Sequence, residues 1–176
     1  MEYFILDVHK AYSPPRITGW QGMLDKKTIK EHGYDKLPKF HLFKVDEHIQ
    51  TVYADVIMHP CFMLSKEAME VVKMYMPSLS FERMVIFDQI NKKSHAYYLP
   101  RLEEKDVLTE RSRFNLDKST IHYAEVDGDK IEGVPLFQVA NVNHTCILIR
   151  SDLVESLLQR KMIGMGLRDT ELVYHD

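Results

Sequence analysis

Cys61-Phe62-Met63-Leu64-Ser65, followed by Lys66-Glu67-Ala68-Met69-Glu70-Val71-Val72-Lys73-Met74-Tyr75-Met76-Pro77, decides how this chain is read. A short apolar run meets a serine, and the pattern behind it is helical: Ala68, Val71, Val72 and Tyr75 fall on one face. The Ser65 hydroxyl can accept a bond from an otherwise unpaired N–H of the first turn. Glu67 places negative charge where the helix dipole favours it. Pro77 lacks an N–H and disfavours helix at the residue before it, so the helix is expected to stop by Met76. The phrase returns as Cys146-Ile147-Leu148-Ile149-Arg150-Ser151, then Asp152-Leu153-Val154-Glu155-Ser156-Leu157-Leu158. Ser151 is expected to cap this second helix, which runs to about Lys161 and is released by Gly164 and Gly166.

Around these phrases the chain supplies strands. Tyr3–Val8, Phe40–Val45, Thr51–Met58, Met84–Asp88, His95–Leu99, Ile121–Val126, Pro135–Ala140 and Thr145–Ile149 are rich in β-formers. Asn91-Lys92-Lys93-Ser94 and Asp127-Gly128-Asp129-Lys130 are expected to turn hairpins, the second because Asp-Gly tolerates tight-turn backbone angles. A short helix is expected over Asp25–His32 and an edge strand over Glu171–Tyr174. Strands in adjacent hairpins, without regular alternation with helices, predict an α+β fold with mainly antiparallel sheet and two principal helices. The two strand-Ser-helix phrases point to a weak internal duplication. The 176 residues fit one domain, with residues 1–58 as a looser N-terminal sub-lobe and 59–176 as the main region.

Composition narrows the classes. Charged residues at 28% and hydrophobic ones at 45% describe a globular chain. A formal charge of −3 advertises no nucleic acid. No apolar run approaches the roughly 20 residues that span a bilayer, and Asp7 interrupts the N-terminus too early for a signal peptide. The expectation is a cytoplasmic protein that engages neither nucleic acid nor membrane, with two reduced thiols.

Several groups of residues invite a chemical reading. His59-Pro60-Cys61 and His144-Thr145-Cys146 each place a histidine and a cysteine on one side of a strand. Side by side, His59, Cys61, His144 and Cys146 could hold a tetrahedral zinc. Small buried residues opening apolar runs are the commoner meaning of such cysteines, and no metal or other cofactor is expected. Ser65 and Ser151 lack the frame of a nucleophile elbow. His95 and His122 have no spacing that ties them to a nucleophile, and no glycine pattern matches a phosphate loop. The charged stretch from Glu103 to Arg113 can be read as a carboxylate pair, Glu104 and Asp106, tuned by Arg111 and Arg113. A solvated face open to a charged partner is the favoured reading. Trp20 is either an exposed anchor or, as the commoner case, a ring folded over the core edge. Met58, Met63, Met69, Met74 and Met76 are mostly core filler, though a methionine face can grip a partner or a second copy.

An ordered series of patterns carries a resemblance. Phe62–Ala68, the helix ending at Pro77, Val85-Ile86-Phe87, Tyr97-Tyr98-Leu99, Asp106-Val107-Leu108 and Ser112-Arg113-Phe114 come first. Pro135–Val139, Ile147–Leu153 and Gly164-x-Gly166-Leu167 follow. In order and spacing residues 60–168 resemble an immunity-protein family of bacterial polymorphic toxin systems. The resemblance implies a small cytoplasmic protein without turnover that binds and neutralises a cognate protein toxin. It brings no catalytic residues. Contact residues are therefore chosen by side-chain type: Trp20, Arg101, Glu103, Glu104, Arg111 and Arg113, since aromatic and arginine groups dominate hot spots and acids can meet a basic toxin surface. A small metal-dependent hydrolase built on the histidines and the Glu104/Asp106 region, or a homodimeric structural module, stand as alternatives.

Overall fold

In the computed structural model, which describes residues 2–21, 24, 29, 33, 34, 37, 41–46 and 51–175, period-two alternation sorts apolar side chains onto the faces of two sheets. The first sheet holds β1 (Tyr3–Val8), β8 (Glu104–Lys105), β12 (Leu136–Val139), β13 (Ile147–Arg150) and β14 (Met165–Asp169) in the order β14-β1-β13-β12-β8. The second holds β2 (Arg16–Thr18), β3 (His41–Asp46), β4 (Val56–Ile57), β5 (Met63–Leu64), β6 (Phe81–Asp88) and β7 (Lys93–Pro100) in the order β2-β3-β6-β7-β5-β4. Most pairings are antiparallel; β3 with β6 and β12 with β8 run parallel. The fold is α+β.

Alternation is plainest in the first sheet. Tyr3, Ile5, Phe137, Val139 and Leu148 face one core, whereas Leu6, Leu136, Ile147 and Ile149 face another. The second core is shared with α1 (Lys66–Tyr75) and α2 (Ser151–Gln159). These helices pack on one another, and the Tyr75 hydroxyl donates to the Asp152 carbonyl at 3.0 Å. A third core, built on Phe43, Met84, Ile86, Tyr97 and Leu99, covers one face of the second sheet.

The helix over 66–76 forms as its pattern predicts, buries Ala68, Val71 and Val72, and ends at Tyr75 with Met76 as its cap residue. Ser65 caps it: the Ala68 N–H donates to its Oγ at 3.1 Å, while the hydroxyl donates to Asp55 Oδ1 at 2.6 Å. Ser151 behaves differently. It is already helical, the cap position is Arg150, and no side chain bonds the first turn from there. Arg150 instead clamps Asp152 through Nε and Nη2 at 2.7 and 2.8 Å. The internal duplication therefore stops at element order, since the two helix entries use different chemistry.

Other expectations are corrected. Only Val56–Ile57 of the strand expected over Thr51–Met58 pairs as β4; the preceding residues are occupied in crossing contacts, with Ala54 O accepting from the Tyr97 hydroxyl at 2.7 Å. Ile121–Val126 splits at Ala124 into β10 (Ile121–Tyr123) and β11 (Glu125–Asp127). Asp127-Gly128 turns no hairpin. Asp127 caps a single 3-10 turn over Gly128–Lys130, and β11 pairs in parallel with β15 (Glu171–Val173), the expected edge strand. The exposed Tyr174 ring lies over this turn, and a Cβ at 128 would stand 2.4 Å from it and require the ring to move aside. The charged connection forms short β9 (Arg113–Phe114), paired with β10, as well as β8. Residues of the expected N-terminal sub-lobe enter both sheets, with β1 between β13 and β14 and β2-β3 at the far edge of the other. The helix expected over Asp25–His32, apart from Ile29, and the loop at 47–50 lie outside the described residues. No helix among the described residues is long and apolar enough to cross a membrane.

Candidate functional site

The charged stretch acquires its shape from a buried carboxylate. Glu125, on β11, is only 5% exposed, and the turn that precedes β9 is strapped over it. Thr109 Oγ1 donates to Glu125 Oε1 at 2.7 Å, and the Thr109 N–H donates to the Glu125 carbonyl at 3.0 Å. Ser112 Oγ lies 3.0 Å from that carbonyl and 3.1 Å from the Glu125 N–H, close enough to serve both. A buried carboxylate needs such partners, because losing water without them is costly. The strap lifts Arg111 outward: its side chain is 81% exposed and its Nη1 stands 3.8 Å from Glu125 Oε2.

Arg111 and Arg113 thereby line an open depression of about 680 Å³ with Glu110, Ser112, Tyr123, Glu125 and Glu171. On its far side the Tyr123 hydroxyl donates to the Glu171 carboxylate. That bond, followed by desolvation and the acidic neighbours, raises the phenol's pKa, so Tyr123 stays neutral and its ring is held at the rim. The result is a mixed-charge surface whose acids Glu125 and Glu171 are held by hydroxyl donors, with Arg111 and Arg113 beside them.

A second concavity, about 180 Å³, opens at the seam of the two sheets. Leu99 and Pro100 at the end of β7, Phe62 and Leu102 line it, together with Glu104, Gln138 and Thr145. Cys61 lines it as well, and burial pushes its thiol up to about 12, which keeps the sulfur protonated.

The structure does not gather the zinc set. Cys61 packs in the core beneath the second sheet and Cys146 in the core on the outer face of the first. His59 is exposed against Trp20, and His144 Nδ1 lies 3.4 Å from the Lys118 carbonyl. The reason is register: in the second phrase it is Thr145, between His144 and Cys146, that reaches the pocket Cys61 lines. Among the described residues no three His, Cys, Asp or Glu side chains are placed to hold a metal ion.

The residues chosen for contact fall in different places. Trp20 is half-buried, packing against the third core with its ring edge-on to His59 at 5.1 Å between centroids. Arg101 pairs with Glu82, Nε to Oε1 at 2.8 Å, and its guanidinium lies 5.5 Å from the centre of the Tyr34 ring. Glu103 reaches the buried Lys105 at 3.5 Å. Glu104 accepts from Gln138 Nε2 at 2.8 Å. Arg111 and Arg113 line a different concavity from Glu104, so the arrangement in which they tune Glu104 and Asp106 is not the one the fold builds. Tyr123, Glu125 and Glu171 escaped sequence reasoning, because only the β9–β10 and β11–β15 pairings bring them beside the arginines. Of the methionines, Met63 and Met69 are buried and Met58 and Met76 pack on the core, leaving Met74 exposed. A continuous methionine face is therefore not formed.

No protein-family model matches the chain, and no curated protein matches it.

Proposed function

We propose that the chain is a binding protein of the immunity type, which neutralises a cognate protein toxin by direct association, and that the depression around Arg111 and Arg113 belongs to its contact surface. The observation that carries this reading is the mixed-charge rim held over buried Glu125. Arg111 projects from a turn whose backbone is strapped over Glu125, so docking need not order that turn. Arginine and tyrosine side by side are the residue types that most often carry binding energy at interfaces. Acids and arginines in one shallow surface also suit a protein partner with complementary charge, which they would steer and register. The ordered resemblance over residues 60–168 supports the same function.

The deciding experiment is association between the purified chain and the toxin encoded beside its gene. Saturable binding, weakened about tenfold or more by the double charge reversal Arg111→Glu/Arg113→Glu, is the expected result. Absence of association with that toxin would overturn the function. Association untouched by the reversal would move the contact surface elsewhere.

A further inference from the structure

Beyond the depression, β9 and β10 run on to a loop over residues 115–120, and Leu116 stands near its tip. Leu116 is 107% exposed, above every other large apolar side chain among the described residues. A single apolar group on a surface is ordinary. Here the backbone around it is fixed. The Asn115 N–H donates to the Thr120 carbonyl at 3.1 Å, and the Thr120 N–H donates to Asn115 Oδ1 at 2.9 Å. Inside the loop the Lys118 N–H donates to the Asn115 carbonyl at 3.1 Å, and Asn115 Nδ2 donates to Ser119 Oγ at 2.8 Å. Asp117 Oδ1 accepts from the N–H and the hydroxyl of Ser119 at 3.0 and 2.7 Å. From the neighbouring segment, the Asn143 N–H donates to the Lys118 carbonyl at 3.2 Å and its side-chain amide to the Asp117 carbonyl. The residues on both sides of Leu116 are thus bonded into a frame while its side chain meets solvent. An apolar group held out in this way can be buried by a partner with little loop ordering to offset the gain.

Charge gives the partner its chemistry. The loop's carboxylate, Asp117, is turned back on Ser119. Lys118 Nζ lies 5.7 Å from the centre of the Phe114 ring, and among the described residues neither Lys118 nor Arg113 has a carboxylate within ion-pair distance. Arg113 pairs across the hairpin with Tyr123 at the depression, and Leu116 follows it by about 10 Å of chain at most. Depression and tip therefore lie on one hairpin. We infer that Leu116 is a plug for the protein partner, entering an apolar pocket on the toxin whose rim carries carboxylates that pair with Lys118 and Arg113. This assignment rests on the proposed function and extends its contact surface to the loop tip.

The test uses the full chain and the toxin encoded beside its gene. Leu116→Ala should weaken association about tenfold and Leu116→Asp further, with unfolding midpoints unchanged because the side chain is fully exposed. Lys118→Glu should weaken it about threefold or more, the effect fading at high salt. Protection of the tip is read directly: Cys61 and Cys146 are buried, so iodoacetamide reports on the new thiol of Leu116→Cys, and saturating toxin should slow its alkylation about tenfold. Absence of any association would overturn the function and the plug together. Association weakened by Arg111→Glu/Arg113→Glu but unchanged in Leu116→Asp would overturn the plug alone, as would an alkylation rate that toxin does not alter. An unchanged affinity in Lys118→Glu would overturn the acidic rim.

Discussion

Two serines at similar places in similar phrases do different things. Ser65 joins the first turn of α1 to Asp55, whose other oxygen accepts from the Ile163 N–H at 2.7 Å. Ser65→Ala removes the cap and leaves one Asp55 oxygen without its hydroxyl donor. A loss of about 1–2 kcal/mol in denaturant unfolding is expected. Ser151→Ala removes no capping bond and should stay within about 0.5 kcal/mol of the parent. Equal losses in the two variants would show that position in the phrase, not the cap bond, sets the stability. Sequence inspection could not separate them, because both serines precede an amphipathic run. The difference lies in Arg150, whose guanidinium finds both oxygens of Asp152 and the carbonyl of Gly133, held close by the fold.

At the scale of elements, that clamp makes the start of α2 sensitive to acid. The hydrogen bonds from Arg150 are the largest influence on Asp152 and hold its carboxyl below the ordinary carboxylate range. A folded pKa lowered in this way contributes stability above the unfolded value, near about 3.9, and the contribution is lost as pH falls through the lower folded value. Asp152 is 41% exposed, so solvent screening limits the pair to at most about 1 kcal/mol. Asp152→Asn should therefore be less stable than the parent at neutral pH, and the gap should narrow as pH falls below about 3.9 and close only below the lowered folded value. A gap that persists in strong acid would trace the loss to packing. The end of α2 is closed at Arg160 and Lys161, and beyond it Gly164 has φ of 93° and an added Cβ would stand 2.4 Å from that of buried Ala54. Both backbone angle and space exclude a side chain, and Gly164→Ala should cost about 2 kcal/mol or more in thermal or denaturant unfolding. A smaller loss would mean that the 54–56 segment yields.

Across the whole molecule, the first sheet is the unit on which the rest depends. Its strand β13 has Ile147, Leu148 and Ile149 buried on both faces, between the helices and the core around Phe137. Amides in β13 and its neighbour β1 should exchange only through global opening, whereas those of β9 and β15, in two-stranded pairings, should exchange by local opening. Hydrogen-exchange mass spectrometry checks this ordering. Fast exchange in β13 would mean that the helices pack loosely on the sheet. The strap over Glu125 belongs to these two-stranded pairings, outside the central sheet.

By itself the sequence determined the α+β class, the capped helix after Ser65, a hairpin near Asn91 whose turn falls at residues 89–92 and not at Asn91–Ser94, and the edge strand near the C-terminus. These features depend on periodicity and capping within a few residues, and such signals are local. Tertiary structure alone decided which strands pair. It set β1 between β13 and β14, turned Asp127-Gly128 into a 3-10 turn under Tyr174, and sent Cys61 and Cys146 to separate cores. It also brought Tyr123, Glu125 and Glu171 to Arg111 and Arg113, and Gln138 and Thr145 to Glu104. Pairing is settled by which faces can be buried together, a non-local competition. A concave site lined from several strands therefore takes its residue set from the fold.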